Sequence, residues 1–590
     1  MVFRATLYIL LFLCLHVFVK SAIVYTKSGF LNGTVLELDQ ARKVYVFLGV
    51  PYAEPPTGER RFKEPQPLSS KWEGIRSAQK NSPSCIQYRY YFNRKSGDTV
   101  GDEDCLYVNI YSSSLSNDSN LDVVVFFHGG GFMFGSGNAY SGDFIFAKVD
   151  IVFVTVNYRL GPFGFLSTED EVIPGNNGLK DQVQALIWIQ ENIEHFGGDK
   201  SKVTITGLSA GGASVHLHYL SPLSKHLFSR GISVSGSAFC PWVFAENSRM
   251  KAFMLADAVQ CPTDDSRHLL ECLRQRPAKS ILLHLEELFM PWHFNPFSPF
   301  GVVVENSSNV AFLSKHPHEL LSERNIKDAP WLTSITSEEG LYPAATFITH
   351  NELLHELEEN WNEISPYILD YNYTTSIYEK DNLSQRIKEF YLGNNTIDFD
   401  HRGDLLRMMS DRLFIVDIER GARLQAAATK SPVYFYEFTY RGKYSISNLF
   451  CSCRDNLGVS HADDLLYLLK MGAGLSPLET DEDKEMVDIM VNIWTSFIRT
   501  GVPSLELQVP WIPVSPTGDL SYLRISSSQN ITLVSSASLG SREFWDSLPF
   551  NEPKSFEKSG CGEIGISFPI FIIFFSVYIL GKFYTFKTLV

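Results

Sequence analysis

The sequence predicts an α/β fold in which a mostly parallel central sheet is covered by helices. Three short runs rich in β-branched residues, 123–127, 151–157 and 202–206, are each bounded by turns. Such runs are typical of strands buried on both faces of a parallel sheet. Between the last two lies a helical stretch, residues 178–195, whose apolar residues recur at steps of four, three and seven, which favours an amphipathic helix. The order strand, helix, strand predicts a βαβ unit.

Three later runs, residues 231–235, 331–336 and 433–439, are further strand candidates for the same sheet. In open α/β sheets the active residues lie on loops at the carboxyl ends of the strands. We therefore expect the active residues to lie on the loops that follow these runs.

The length and composition of the chain favour one large catalytic domain, over residues 23–550. The chain has 590 residues, of which 44% are hydrophobic, enough to bury a large core. No obvious linker divides it. The net charge is −15, and the acidic residues are scattered along the chain, so nucleic acid is not an expected partner.

The amino-terminal end has the layout of a secretory signal peptide, predicted over residues 1–22. Arg4 precedes the apolar run 5–19, and the small residues Ser21 and Ala22 follow it. The mature chain is expected to begin near Ala22 or Ile23.

The carboxyl-terminal end predicts a membrane anchor. Residues 564–581 carry no charge and are rich in Ile and Phe, and as a helix they would rise about 27 Å, enough to cross a hydrocarbon core. A stalk, 551–563, precedes this transmembrane segment, and a short basic tail, 582–590, follows it. The small residues 559–562 leave a glycolipid-anchor signal as the alternative. Either anchor would tether a catalytic domain on the extracellular or lumenal side of a membrane of the secretory pathway.

Cysteine usage agrees with an oxidising compartment. Cys85 with Cys105, and Cys261 with Cys272, are close enough in sequence to staple two surface loops. The pairing of Cys240, Cys451 and Cys453 stays open, and no His or Cys at ligand spacing supports a metal site at the last two. Glycosylation sequons, which also fit a lumenal chain, stand at Asn32, Asn117, Asn306, Asn372, Asn382, Asn394 and Asn530.

The motif Gly207-Leu208-Ser209-Ala210-Gly211 follows the strand candidate 202–206 directly. It matches the G-x-S-x-G nucleophile elbow, in which a tight turn between strand and helix exposes a serine hydroxyl. The turn needs neighbours without side chains, and it holds the serine in a strained backbone conformation. Ser209 is thus the predicted nucleophile.

A second glycine-rich loop, His128-Gly129-Gly130-Gly131-Phe132, follows the strand candidate 123–127. Acyl transfer develops a negatively charged oxygen, and preorganised N–H donors stabilise it. In elbow folds such a loop lies upstream of the serine and supplies those donors. Gly130 and Gly131, together with Ala210, are the predicted oxyanion hole.

A serine needs a base to take its proton, and the base needs an orienting carboxylate. Elbow folds order these residues as serine, acid, histidine. His461, in the loop after the strand candidate 433–439, is the predicted base. Glu339, after the candidate 331–336, is the predicted acid, with Glu338 as its rival. Asp464 is a further carboxylate near the base, as a support or a helix cap.

The whole stretch from Val24 to about Phe550 resembles the type B carboxylesterase and cholinesterase family. The landmarks are residues 49–56 (GVPYAEPP), 103–109 (EDCLYVN), 157–161 (NYRLG) and 196–199 (FGGD). The resemblance implies an α/β-hydrolase fold and a triad of Ser209, Glu339 and His461. It also implies an oxyanion hole of Gly130, Gly131 and Ala210, and it implies that both short disulfides form. The same resemblance suggests structural ion pairs between Arg61 and Glu103 and between Arg159 and Asp181.

The expected activity is hydrolysis of broad or lipophilic carboxylic esters through an acyl-enzyme on Ser209, without metal or other cofactor. Cholinesterases carry a tryptophan in the first disulfide loop, and none stands between Cys85 and Cys105. Tyr88, Tyr90 and Tyr91 lie there as possible substitutes. A cholinesterase-like enzyme and a catalytically silent adhesion protein of the same fold are the alternatives. The expected partners are a small-molecule ester and, through the anchor, a membrane, and a homo-oligomer is left open.

Overall fold

A computed structural model of the chain describes residues 21–38, 42–89, 99–290, 292, 299–472, 478–504 and 510–552. These residues belong to a compact unit that extends to Glu552. Nearly all of the predicted signal peptide and stalk, and the whole transmembrane segment and basic tail, lie outside the described residues. Within the described part of the chain, no helix is both long and apolar enough to cross a membrane.

The strands alternate with helices along most of the chain. The strands are β1 (Ser21–Thr26), β2 (Gly29–Glu37), β3 (Lys43–Pro51), β4 (Ile75–Ser77), β5 (Gln87–Tyr88), β6 (Thr99–Val100), β7 (Tyr107–Ser112), β8 (Leu121–Phe127), β9 (Tyr140–Ser141), β10 (Val152–Val156), β11 (Gly198–Leu208), β12 (Arg230–Val234), β13 (Trp331–Thr336), β14 (Val433–Phe438), β15 (Lys470–Met471), β16 (Leu520–Ser527) and β17 (Asn530–Ser536).

The α-helices vary from single turns to five turns. They are Asp143–Phe146, Gly161–Phe165, Asn177–Asn192, Ala210–Leu220, Ser248–Ala258, Ser266–Gln275, Ala278–Leu283, Leu285–Phe289, Pro317–Glu323, Leu341–Ala344, Asn351–Glu359, Trp361–Ile368, Lys380–Leu392, Arg402–Ser410, Val416–Ala428, Ser447–Cys451, Asp481–Thr500 and Arg542–Asp546.

Among the described residues, thirteen strands form one sheet in the order β1-β2-β3-β7-β10-β8-β11-β12-β13-β14-β16-β17, with β4 paired to β2. The pairs from β10 through β16 are parallel. The pairs along the strand order at both edges of the sheet are antiparallel, whereas the short strand β4 pairs with β2 in parallel. The predicted α/β fold with a mostly parallel central sheet is confirmed.

The sheet is buried on both faces, as the apolar runs predict. In β8, Val123, Val125 and Phe127 pack into one core cluster, whereas Val124 and Phe126 pack into a second cluster. Successive side chains of a strand point to opposite faces, so the two clusters lie on the two sides of the sheet. The sheet is therefore a rigid support for the loops at the carboxyl ends of its parallel strands.

Two ion pairs, one buried and one largely buried, join separate segments of the chain, in agreement with the suggested pairs. Arg159 forms two hydrogen bonds to Asp181, at 2.7 and 2.8 Å, and both side chains are buried. Arg61 lies 2.5 Å from Glu103 and also donates to the carbonyl oxygen of Leu273. Removing one partner of such a pair leaves an uncompensated buried charge, so these pairs fix loop positions.

Three disulfides are formed among the described residues. Cys85 bonds to Cys105 and Cys261 bonds to Cys272, as expected. Cys451 bonds to Cys453, and Cys240 is free and buried. The sequence had left these three cysteines unassigned. Persistent disulfides are typical of chains that fold in the oxidising secretory pathway.

Candidate active site

Ser209 lies in a sharp turn between β11 and the helix Ala210–Leu220. Its backbone is in a strained conformation, with φ 57° and ψ −120°, a region that non-glycine residues rarely occupy. A hydrogen bond from the Ser209 N–H to the carbonyl oxygen of Val234, at 2.8 Å, ties the turn to β12. The surrounding structure thus holds the serine in the geometry that the elbow motif predicts.

The elbow glycines are required by close packing. A Cβ atom on Gly207 would lie 2.3 Å from the backbone of Gly211, and a Cβ atom on Gly211 would lie 2.0 Å from the carbonyl oxygen of Phe127. Backbone atoms of a buried helix or of a central strand cannot move away at low cost. Side chains at these positions are therefore excluded by sterics.

We expect Gly211→Ala to lower the free energy of unfolding by about 3 kcal/mol, because the new methyl group overpacks a rigid site. Denaturant unfolding followed by circular dichroism measures the change. Gly403→Ala is the matched control, since no atom lies within 4 Å of the added Cβ atom. Gly403 is inside a helix, so this control should be neutral or slightly stabilising. Equal stability of the two variants would contradict the packing argument.

The glycine-rich loop packs directly against the elbow. A Cβ atom on Gly129 would lie 3.1 Å from the Cβ atom of Ser209. Gly130 and Gly131 have φ angles of 113° and 58°, which favour glycine. The structure therefore brings Gly130, Gly131 and Ala210 to the surroundings of Ser209, and their role as N–H donors to substrate stays a prediction.

His128, the first residue of this loop, is held in place by Tyr158. The hydroxyl of Tyr158 donates to its carbonyl oxygen at 2.7 Å, and the two rings stack with centroids 4.4 Å apart. Burial lowers the pKa of His128 to about 4, so the imidazole is neutral at physiological pH. It contributes packing to the loop and no positive charge to the site.

Glu339 and His461 meet at the carboxyl edge of the sheet. Nδ1 of His461 lies 2.5 Å from Oε2 of Glu339, and both residues are buried. The other carboxylate oxygen accepts hydrogen bonds from the hydroxyl of Ser235 at 2.6 Å and from the N–H of Thr336 at 2.7 Å. These contacts fix the carboxylate, which in turn fixes the imidazole and leaves Nε2 available for proton transfer.

Aromatic rings enclose the imidazole of His461. The centroid of Phe414 lies 4.6 Å away and that of Tyr342 lies 5.4 Å away. An apolar enclosure strengthens the electrostatic contact between a carboxylate and a histidine. It also keeps the ring in one orientation.

Glu338, the rival acid, lies elsewhere. Its carboxylate accepts hydrogen bonds from the N–H of Val459 and the hydroxyl of Ser337, both at 2.6 Å. The backbone around Glu338 also pairs with Ser460 in an isolated bridge. Glu338 thus connects the loop of the acid to the loop of the base, and the carboxylate that pairs with His461 is that of Glu339.

Two aspartates follow the histidine and have different environments. Asp464 is buried and accepts a hydrogen bond from the hydroxyl of Tyr436 at 2.8 Å, and burial raises its pKa to about 6. Asp464 lies inside the 3₁₀ helix Asp463–Tyr467, whose N-cap is Ala462, so it is not the helix cap. Asp463 accepts hydrogen bonds from the N–H groups of Ser460 and Ile446 at 2.8 and 2.6 Å, so it anchors the loop that carries the histidine.

Sequence reasoning missed Ser235 and Asp463. Ser235 stands at the carboxyl end of the predicted strand 231–235, the edge at which the other site residues were sought, and this position is a signal for its contact with Glu339. Asp463 has no such signal, because its two N–H partners are identified only by the folded loop.

The first disulfide loop offers a single described tyrosine. Tyr88 is fully buried and its hydroxyl contacts the carboxylate of Glu286. Tyr90 and Tyr91 lie outside the described residues. A buried, hydrogen-bonded Tyr88 is not a free aromatic face for a quaternary ammonium group.

An α/β-hydrolase with a serine elbow, an adjacent glycine loop and a buried acid–histidine pair has the features of an ester hydrolase. The profile of the Carboxylesterase family matches residues 20–544. The chain belongs to this family, and it is a carboxylic ester hydrolase as the sequence predicts.

Curated relatives are similar to this chain over most of their length. The chain is 41% identical over 534 residues to Venom carboxylesterase-6 of Apis mellifera, covering 90% of this chain and 95% of the relative. It is 44% identical over 502 residues to Esterase FE4 of Myzus persicae, covering 83% and 86%.

A solved structure has the same fold. Juvenile hormone esterase from Manduca sexta, crystallised with OTFP covalently attached, superposes with a TM-score of 0.78 at 27% identity. The match covers 90% of this chain and 99% of that chain.

Proposed function

We propose that Ser209, His461 and Glu339 form the catalytic triad of a serine carboxylesterase. The observation that carries the proposal is the 2.5 Å contact between Glu339 and His461 at the sheet edge that also bears the serine elbow. We further propose that the N–H groups of Gly130, Gly131 and Ala210 form the oxyanion hole.

In the proposed mechanism, the hydroxyl oxygen of Ser209 attacks the ester carbonyl carbon while Nε2 of His461 takes the hydroxyl proton. Glu339 stabilises the imidazolium through Nδ1–H. The negative charge on the carbonyl oxygen is stabilised by the oxyanion-hole donors. The imidazolium then protonates the departing alkoxide, which leaves the acyl group on Ser209.

In the second half of the reaction, water replaces the alcohol. Nε2 of His461 takes a proton from the water, whose oxygen attacks the acyl carbon. Collapse of the tetrahedral intermediate releases the carboxylic acid and returns the proton to Ser209. The Manduca sexta esterase with its covalently attached OTFP supports a covalent step in this family.

Labelling with a fluorophosphonate tests the nucleophile. We expect the full-length protein to bind the probe covalently, with the adduct on the peptide that contains Ser209, because an activated serine attacks phosphorus and cannot release the product readily. Mass spectrometry of the digested protein identifies the modified residue.

The Ser209→Ala variant should lose the adduct completely. Ser116→Ala, at an exposed serine that caps a 3₁₀ turn, is the matched control and should label like wild type. Equal labelling of wild type and Ser209→Ala, or no labelling of either, would mean that Ser209 is not the nucleophile.

We propose broad or lipophilic carboxylic esters as substrates. The aromatic enclosure of His461 by Phe414 and Tyr342 and the absence of a tryptophan between Cys85 and Cys105 support this class. Turnover of short-chain, long-chain and choline esters by the purified protein tests it, and a dominant choline-ester activity would favour the cholinesterase alternative.

We propose that the chain is glycosylated and is tethered by residues 564–581 after removal of its signal peptide. The uncharged run followed by Lys582 supports a transmembrane segment. A transmembrane protein stays in the membrane pellet after alkaline carbonate extraction and after phosphatidylinositol-specific phospholipase C, whereas a glycolipid-anchored protein is released by the phospholipase.

Light scattering of the detergent-solubilised protein decides between a monomer and the homo-oligomer left open by the sequence.

A further inference from the structure

The amino-terminal hairpin presents a contiguous group of exposed apolar side chains. We call Ile23, Tyr25, Phe30 and Ile75 the hairpin patch, and these residues are 54%, 44%, 47% and 57% exposed. Single exposed apolar residues are normal on a protein surface, but a contiguous exposed group is typical of an interaction surface.

Strand register makes the patch continuous. Tyr25 of β1 is directly opposite Phe30 of β2, with ring centroids 5.0 Å apart. Phe30 is also opposite Ile75 of β4. The intervening residues Val24 and Leu31 are buried, so the hairpin has one face in the core and the hairpin patch on the other.

Asn32 lies on the same outward face, next to the hairpin patch. It is two residues after Phe30 on β2, and therefore on the same side of the sheet, and it is directly opposite Ile23 of β1. Asn32-Gly33-Thr34 is an N-glycosylation sequon. A glycan attached to Asn32 would therefore emerge beside Ile23 and Phe30, at the border of the hairpin patch.

We propose that Asn32 carries an N-linked glycan whose first sugar residues lie on the hairpin patch. A pyranose ring has an apolar face of C–H groups, which packs on aromatic rings such as Tyr25 and Phe30, while its hydroxyl groups remain in water. A sugar therefore covers an apolar surface and presents its own hydroxyl groups to the solvent. The proposal rests on routing through the secretory pathway and not on the chemistry of Ser209.

The modification itself uses a lipid pyrophosphate-linked oligosaccharide as donor. The Nδ2 atom of Asn32 forms a bond to the anomeric carbon of the first sugar, and the bond from that carbon to the pyrophosphate oxygen breaks. The amide gives up one proton, and the lipid pyrophosphate leaves with the electron pair of the broken bond.

The position at the sheet edge gives the glycan a second effect. Among the described strands, β1 is the outermost at its end of the sheet. An edge strand presents unpaired backbone groups that pair readily with another chain, and natural proteins block such edges. A glycan on the adjacent strand would keep a second molecule away from both the edge and the hairpin patch.

The test compares full-length protein from a secretory expression host with two variants, Asn32→Gln and Asn117→Gln. Asn117 is the matched control, because it is an exposed sequon on a 3₁₀ turn outside the hairpin. We expect glycopeptide mass spectrometry to find Asn32 occupied. Asn32→Gln should bind more of the hydrophobic dye ANS and shift from its wild-type size toward larger species in sedimentation, whereas Asn117→Gln should match wild type in both measurements.

A further variant, Tyr25→Ser with Phe30→Ser in the Asn32→Gln background, should reverse the gain in dye binding and restore the wild-type size. Ester turnover per active site should be unchanged in all variants, which separates this proposal from the one on Ser209. An unmodified Asn32 in the secreted protein, or identical behaviour of Asn32→Gln and Asn117→Gln, would falsify the proposal. Cross-linking of the hairpin patch to a second copy in the glycosylated protein would also overturn it.

Discussion

Replacing His461 with alanine is expected to lower kcat for a carboxylic ester by about 10⁴-fold or more, because in the proposed triad the three residues act as one unit. In the proposed mechanism the imidazole takes the proton from Ser209 as it attacks and then protonates the departing alkoxide, and the variant lacks a group for either step. The remaining rate would come from the oxyanion hole and from substrate binding. Steady-state hydrolysis of a chromogenic ester measures the loss.

His355→Ala is the matched control for this experiment. His355 is an exposed residue of the helix Asn351–Glu359 and lies 3.3 Å from Glu359, a surface pair of little energetic weight. Its kcat should equal that of wild type. If His461→Ala retained activity comparable to that of His355→Ala, another group would have to be the base.

Glu339→Gln is expected to lower kcat by about 10⁴-fold while the protein stays folded. The amide keeps the shape of the side chain, so the packing is preserved. It cannot stabilise the positive imidazolium, and it favours the wrong tautomer of His461 if its NH₂ group donates to Nδ1. Turnover and circular dichroism together separate the loss of chemistry from a loss of fold.

Glu338→Gln is the matched control, at the neighbouring position and with the same chemical change. Glu338 accepts the N–H of Val459 and does not contact His461. An amide oxygen can still accept that hydrogen bond, so kcat should change by less than about tenfold. A larger loss in Glu338→Gln than in Glu339→Gln would assign the acid to Glu338.

Much of this architecture follows from local patterns in the sequence. The strand candidates 123–127 and 331–336 were found because parallel strands buried on both faces are continuous apolar runs. The elbow was found because its glycines are required by sterics, as the 2.0 Å approach at Gly211 demonstrates. The residues of the candidate site were found because loops at the carboxyl ends of such strands meet at one edge.

Other features depend on contacts between distant segments and left no local pattern. The antiparallel strands β1, β2 and β17 at the edges are half exposed. In β1 and β2 some outward-facing residues, such as Ile23 and Phe30, are apolar as well, so the sequence shows little alternation of apolar and polar residues. The contact of Ser235 with Glu339 spans 104 residues. Bonding between Cys451 and Cys453 was not predicted, because their proximity in sequence does not say whether the turn between them brings the sulfur atoms together.

The three disulfides have a consequence for how the chain is made. Their cysteines are separated by 20, 11 and 2 residues, so each pair can close soon after its second cysteine has entered the lumen during synthesis. None of these disulfides needs a remote part of the chain in order to form. The contact of Glu339, in contrast, requires a histidine that is synthesised 122 residues later. Oxidation is therefore expected to finish locally and early, and assembly of the long-range parallel sheet, which must also bury the free thiol of Cys240, is expected to be the slow step of maturation.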